Sequence, residues 1–145
     1  MKFNTVRFGE IEVLDEQIFH FNKGIPGYEQ LQLYTLITVD EHAPFAYLQS
    51  VEDGNLAFIV IDPFEFFSDY EFELPEAAKE ELKLESPEHA AVRTIVAIKD
   101  KLEQATTNLV APIVINRSNR RGKQVVLAKS SYTTRCRLFA DDTVK

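Results

Sequence analysis

The segment NLVAPIVINRSNRRGKQVVLA, residues 108–128, places a basic connection between two apolar runs. Two apolar runs, Leu109 to Asn116 and Gln124 to Leu127, have the composition of strands. Between them, Asn119 and Gly122 are residue types that tight connections favour. Four basic side chains lie in this connection: Arg117, Arg120, Arg121 and Lys123. The segment therefore predicts a β-hairpin with a basic tip.

The basic tip could bind nucleic acid, contact a protein partner or only turn the chain. The protein has 145 residues, a net charge of −7 and a pI near 5.0, which disfavours non-specific binding to nucleic acid or anionic membranes. No aromatic residue accompanies the arginines, although stacking on single-stranded nucleic acid requires one. The nucleic-acid alternative is therefore weak, and the other two alternatives stay open.

The charge is unevenly distributed along the chain. Residues 1–100 carry a net charge of −13 and residues 101–145 a net charge of +6. Such asymmetry favours electrostatically steered docking to a partner. It is equally typical of loops and tails whose charges are only solvated. An acidic protein of this kind suits a partner with a basic surface.

Most of the chain repeats with a period of two, the pattern of half-buried strands. A hairpin is expected over residues 3–13, and Asp53-Gly54 is a strong turn signal. The other predicted strands are Ile18 to Phe21, Leu31 to Val39, Phe45 to Val51, Leu56 to Ile61 and Ala91 to Ile98. Eight to ten short strands with frequent turns predict a mostly-β fold, a small antiparallel β-barrel-like domain spanning residues 1–145. Residues from about 136 to 145 are expected to form a flexible tail.

One short helix is predicted to begin at Pro75, a residue type that suits a first helical position. Leu74, Ala78 and Leu82 share one face at helical spacing. The helix should end before Ser86-Pro87, because the residue before a proline avoids helical geometry.

Acidic and aromatic residues alternate just before this helix, over residues 62–73. The aromatic side chains could fill one end of the core, as is expected for most of Phe64, Phe66, Phe67 and Phe72. The acids could then form an exposed patch that docks on a basic protein surface. Since inward aromatics leave the acids outside, the two interpretations are compatible.

The sequence offers little for catalysis or cofactor binding. His20, His42 and His89 lie far apart, without metal-ligand spacing. Cys136 lies between Arg135 and Arg137, whose charges could lower its pKa, but an ordinary free thiol is the simpler interpretation. A single cysteine excludes a disulfide within the chain and favours a reducing compartment. We therefore expect no enzyme activity, no cofactor, no metal site and a cytoplasmic location.

Several short stretches, in this order and spacing, resemble one family. They are Gly24-Ile25-Pro26-Gly27-Tyr28-Glu29, Pro44-Phe45 with Leu48-Gln49-Ser50, Leu56-Ala57-Phe58 through Asp62-Pro63, Asp69-Tyr70-Glu71, Asn108-Leu109 with Ala111-Pro112-Ile113 and Ile115-Asn116, Gly122-Lys123-Gln124-Val125, and Tyr132-Thr133-Thr134-Arg135. The set covers nearly the whole chain and resembles the flagellar assembly factor FliW family.

This resemblance implies a regulatory protein without catalytic activity. FliW-like proteins are small β-barrel-like cytoplasmic proteins that bind flagellin and the RNA-binding translational regulator CsrA. Flagellin that accumulates occupies FliW, so CsrA is free to repress flagellin translation. After flagellin is exported, FliW sequesters CsrA, away from its RNA-binding surface, as a non-competitive antagonist. The resemblance thus implies that flagellin synthesis is coupled to secretion.

The expected partners are flagellin and CsrA, with no direct nucleic acid, no membrane and a monomer in the free state. Candidate partner contacts lie in the acidic stretch and at the basic tip. They are Asp69, Tyr70, Glu71, Glu73, Arg117, Arg120, Arg121 and Lys123. The alternative function is a small β-barrel that binds a ligand or nucleic acid without an antagonist role.

Overall fold

The computed structural model describes residues 1–127 and 131–139. Within these ranges the chain forms eleven strands and two short α-helices. The strands are β1 (Lys2–Thr5), β2 (Gly9–Glu12), β3 (Ile18–His20), β4 (Leu33–Thr38), β5 (Ala46–Ser50), β6 (Ala57–Ile61), β7 (Ala90–Ala97), β8 (Thr106–Thr107), β9 (Ile113–Asn116), β10 (Arg121–Gln124) and β11 (Cys136–Arg137). The helices are α1 (Pro63–Phe66) and α2 (Glu76–Leu82). The predicted mostly-β fold is confirmed.

Seven strands close into a barrel. The sheet runs in the order β7, β6, β5, β4, β3, β10 and β9, and β9 then pairs with β7 again through Ala90–Arg93. All these pairings are antiparallel except that of β3 with β10, which is parallel at His20 and Arg121. β7 also pairs with β8, and β8 with β11, so a short extension leaves the barrel. Closure removes the free edges that an open sheet would expose.

The barrel interior is filled by apolar side chains from its strands and from the turn after β3. They are Phe21, Ile25, Tyr34, Ala46, Leu48, Val60, Ile113 and Ile115. All five residues of β5 are buried, because the hairpin of β1 and β2 covers the outside of this strand. The Phe8 ring packs edge-on against Tyr47, with ring centroids 5.1 Å apart.

Strand β9 is likewise buried on both faces, which explains its continuous apolar sequence. Ile113 and Ile115 point into the barrel. Val114 points outward and packs with Ala78 and Leu82 of α2. The helix therefore covers the outer face of β9, and its apolar stripe buries against the sheet as the sequence predicts.

Three local features differ from the sequence prediction. The second strand of the basic hairpin is Arg121–Gln124 rather than Gln124 to Leu127, so the turn falls on residues 117–120. The positive φ of this turn, 62°, belongs to Arg120, whereas Asn119 contributes through its side chain and Gly122 lies in the strand. A second helix, α1, occupies part of the acidic aromatic stretch, because the Asp62 side chain caps it by accepting from Phe64 N–H.

The predicted C-terminal tail is partly structured. Cys136 and Arg137 pair with β8, and Leu138 and Phe139 pack against the buried residues Ile61, Val96 and Ala105. Residues 140–145 of the expected tail lie outside the described residues. None of the helices in the described ranges has the length and apolarity required to span a bilayer.

The buried Asn116 side chain joins the barrel to the end of α2. It is 2% exposed, and its Nδ2 donates to the carbonyls of Leu82 and Lys83 at 2.9 and 3.1 Å. Its Oδ1 accepts from the N–H of Ser118 at 2.9 Å in the hairpin turn. One amide thus satisfies two carbonyls at the helix end, which lack partners within the helix, and one turn N–H.

We expect Asn116→Ala to destabilise the protein by about 2–3 kcal/mol, because it leaves the Lys83 carbonyl and the Ser118 N–H without this partner and the Leu82 carbonyl with Asn119 alone. Asn119→Ala is the matched control: its Nδ2 donates to Leu82 O, but the residue is only half-buried, so about 1 kcal/mol is expected. Urea unfolding followed by circular dichroism measures both. Equal losses for the two variants would contradict this account of Asn116.

Gly122 allows strand β10 to pack closely against a buried aromatic ring. A Cβ atom at this position would lie 2.5 Å from Cζ of Phe21. The Phe21 ring is fully buried and packs edge-on against Tyr34, so it has little room to move. The φ of Gly122 is not positive, so its backbone conformation does not require glycine. Glycine is needed because a Cβ atom has no room beside Phe21.

We expect Gly122→Ala to cost about 1–3 kcal/mol through overpacking. Phe21→Leu, which removes the ring atoms that meet the new methyl group, should partly relieve the clash. In a double-mutant cycle followed by thermal unfolding, the pair should therefore lose less stability than the sum of the single variants, by about 1 kcal/mol. Additive losses would show that Phe21 does not constrain this position.

Candidate functional site

Tyr70 anchors the acidic stretch to the barrel. Its side chain is buried, and its hydroxyl donates to the carbonyl of Leu109 at 2.8 Å. Its ring packs against Tyr132, with centroids 4.8 Å apart, and burial raises the pKa of the Tyr70 hydroxyl. Tyr132 in turn holds the backbone of Glu71, donating to its carbonyl and accepting from its N–H. Tyr70, one of the predicted partner contacts, is therefore a buried residue that fixes the acidic stretch to the barrel.

Residues 71–75, here called the edge segment, extend from Tyr70 to the start of α2. Burial alternates along it, with Glu71 and Glu73 exposed and Phe72 and Leu74 half-buried. This alternation is typical of an extended chain with one face packed on the protein. Phe72 and Leu74 pack against the cluster beneath α2. The predicted acids Glu71 and Glu73, and Asp69 before them, thus face solvent.

The aromatic residues of this region divide between core and surface. Phe66 packs against Phe45 and Phe139, and Phe72 joins the cluster below α2, as expected. Phe64, however, is 45% exposed, so it is the one of the four phenylalanines that is exposed rather than half-buried. Its ring packs against Tyr70, with centroids 5.7 Å apart.

The predicted basic tip contacts the C-terminal half of α2. Arg121 donates to the carbonyl of Glu81, and Lys123 pairs with the Glu81 carboxylate at 3.0 Å. Arg117 donates to the carbonyl of Glu88 just beyond the helix. Arg120 is half-buried and shapes the turn. Cations near a helix C-terminus interact favourably with its dipole, which gives the basic tip a structural role.

Glu81 is the carboxylate on which the basic residues converge. Its two oxygens lie 2.8 Å from Nζ of Lys23 and 3.0 Å from Nζ of Lys123. The hydrogen bonds from these ammonium groups, Lys23 first, lower the pKa of Glu81. This network therefore contributes stability at neutral pH that is lost as the pH falls through the lowered pKa.

A groove of about 520 Å³ opens between the edge segment and residues 84–87, beyond the end of α2. Its floor is the outer face of the barrel where β7 meets β9: Ala90, Val92 and Val114. One wall is formed by Phe72 and Leu74 and the other by Leu84 and Pro87. The carboxylates of Glu71, Glu73 and Glu85 lie at the groove, together with Lys79.

The structure thus separates the two sets of predicted contacts. Glu71 and Glu73 line the groove, whereas Arg121 and Lys123 are held against α2. The floor residues Val92 and Val114 were not among the contacts predicted from the sequence. Their strands are distant in sequence and meet only when the barrel closes, so no local pattern could reveal the groove.

The cysteine and histidine candidates of the sequence have only local surroundings in the described part of the chain. Burial raises the pKa of the Cys136 thiol, the opposite of what its flanking arginines could do. Nδ1 of His42 lies 2.8 Å from the Tyr47 hydroxyl, a local contact on the barrel surface. In residues 1–127 and 131–139, no group of three or more His, Cys, Asp or Glu side chains is placed to hold a metal ion.

Comparison with known proteins identifies the family. The FliW protein family model matches residues 2–138. The flagellar assembly factor FliW of Bacillus subtilis (strain 168) is 43% identical over 135 residues, which covers 93% of this chain and 94% of that protein. The FliW of Desulfitobacterium hafniense (strain Y51) is 40% identical over 141 residues, covering 97% and 93%.

A solved structure, the crystal structure of the flagellar assembly factor FliW, superposes with a TM-score of 0.93 at 37% identity, covering 98% of this chain and 99% of that one. The matched sequence and the matched barrel extend over nearly the same residues, including the groove and the basic tip. The chain therefore belongs to the FliW family of flagellar assembly factors.

Proposed function

We propose that this protein acts in the cytoplasm as a non-catalytic regulator that binds flagellin and antagonises CsrA non-competitively. Flagellin and CsrA would exchange on it, so that flagellin synthesis follows secretion. The observation that carries the proposal is the match to curated flagellar assembly factors along more than nine tenths of the chain. In the free state we expect a monomer that binds neither nucleic acid nor membranes directly.

The charge distribution supports the antagonist part of the proposal. Residues 69–88, which include the edge segment and α2, contain eight Asp or Glu and two Lys, a net charge of −6. RNA is a polyanion, so an acidic protein docked on CsrA beside its RNA site would repel the phosphates without occupying that site. The repulsion would weaken with salt, because the screening length is about 8 Å at physiological ionic strength.

The alternative, a small barrel that binds nucleic acid, has less support. Arg117, Arg121 and Lys123 donate to groups on α2 or just beyond it, so they do not form an open basic surface. Size-exclusion chromatography separates the two hypotheses. We expect co-elution with purified flagellin and with purified CsrA, and no mobility shift of labelled RNA by this protein alone. An RNA mobility shift without co-elution with flagellin or CsrA would support the alternative and contradict the regulator proposal.

The repulsion mechanism predicts a specific loss on charge removal. We expect Glu80→Gln with Glu88→Gln, two exposed acids outside the groove, to weaken antagonism of CsrA–RNA binding by about two- to fivefold, because exposed charge interactions are each worth about 0.2–1 kcal/mol. A gel-shift assay measures antagonism, and calorimetry checks that CsrA affinity is intact. Glu10→Gln with Glu12→Gln is the matched control for total charge. Unchanged antagonism in the Glu80 and Glu88 variant would rule out electrostatics as the mechanism.

A further inference from the structure

The edge segment, which pairs with no strand of the barrel, carries unpaired backbone groups. Among the described residues, the backbone N–H and C=O groups of Phe72, Glu73 and Leu74 have no hydrogen-bond partner. The chain here is anchored at both ends, by the Tyr132 bonds to Glu71 and by α2, which starts after Pro75. Its alternating burial is the pattern of an extended chain. An extended segment with unpaired backbone groups is a template for one more strand.

The groove beside this segment offers pockets for side chains. Its floor and walls are mainly apolar, with Val92 and Val114 below, Leu74 on one side and Leu84 on the other. In a strand, alternate side chains point to the same face. A strand paired with the edge segment would therefore place every second side chain over the floor and leave the others at the rim.

The rim selects for positive charge. Glu71, Glu73 and Glu85 line the groove, and Lys79 is the one cation among the described residues that line it. Lys79 already pairs with Glu76 at 3.2 Å. A strand whose rim-facing side chains are Lys or Arg would complement these carboxylates, whereas an acidic strand would be repelled.

We propose that the groove binds an extended peptide segment of a partner protein by β-augmentation, with apolar side chains alternating with Lys or Arg. The peptide backbone pairs with Phe72, Glu73 and Leu74, its apolar side chains occupy the groove, and its cations meet the glutamates. The inference rests on the proposed function only in taking the protein to act by binding other proteins.

The test uses a fluorescein-labelled peptide, Lys-Val-Lys-Leu-Lys-Val-Lys, titrated with the full chain and followed by fluorescence anisotropy. Two matched peptides carry N-methyl groups, one on the second, fourth and sixth residues and the other on the third and fifth. Because alternate N–H groups of a strand point to opposite edges, methylation should weaken binding at least tenfold in one peptide and leave the other within about threefold. Equal binding of both methylated peptides would overturn the proposal, since mere charge attraction does not distinguish them.

Protein variants locate the site. Glu71→Gln with Glu73→Gln should weaken the unmethylated peptide at least fivefold, whereas Glu10→Gln with Glu12→Gln, which removes the same charge from the N-terminal hairpin, should not. Equal weakening by both pairs would overturn the proposal, as would a dimer in sedimentation that the groove variant abolishes.

If flagellin and CsrA bind the protein but the peptide does not, this inference fails while the proposed function stands. If the peptide binds as expected and neither flagellin nor CsrA binds, the proposed function fails while this inference stands.

Discussion

The structure depends on one buried amide. The side chain of Asn116 stands at the end of a strand that is covered on both faces, where a polar group must find partners or destabilise the fold. It finds them in the carbonyls of Leu82 and Lys83 at the end of α2 and in the turn between β9 and β10. These bonds fix the end of the helix against that hairpin, and the edge segment and groove adjoin the same helix.

Much of the fold could be predicted from the sequence, because strands with one or two buried faces leave a local pattern. Strand β7 and helix α2 follow directly from residue periodicity. The limits of β10 do not, since Arg121 and Lys123 look like loop residues until Glu81 is seen beside them. Similarly, the start of α1 is recognisable only in the structure, where the Asp62 side chain accepts from Phe64 N–H.

For the same reason, only part of the candidate site could be predicted from the sequence. Exposed acids at Glu71 and Glu73 can be read from alternation, but the groove they line needs Val92 and Val114 side by side. That contact exists only through the pairing of β7 with β9. The basic tip was the more conspicuous feature of the sequence, yet its cations mainly complete the end of a helix. A cluster of like charges in a sequence says little until its intramolecular partners are known.

Barrel closure also has a consequence for synthesis on the ribosome. The two contacts that close the barrel join β3 to β10 and β7 to β9, so β3 needs a strand that is made much later than itself. Until β9 and β10 have been made, the edges of β3 and β7 that they cover stay unpaired, and such edges recruit other chains. Barrel closure is consequently a non-local event, and the nascent chain is most exposed to aggregation just before the hairpin of β9 and β10 emerges.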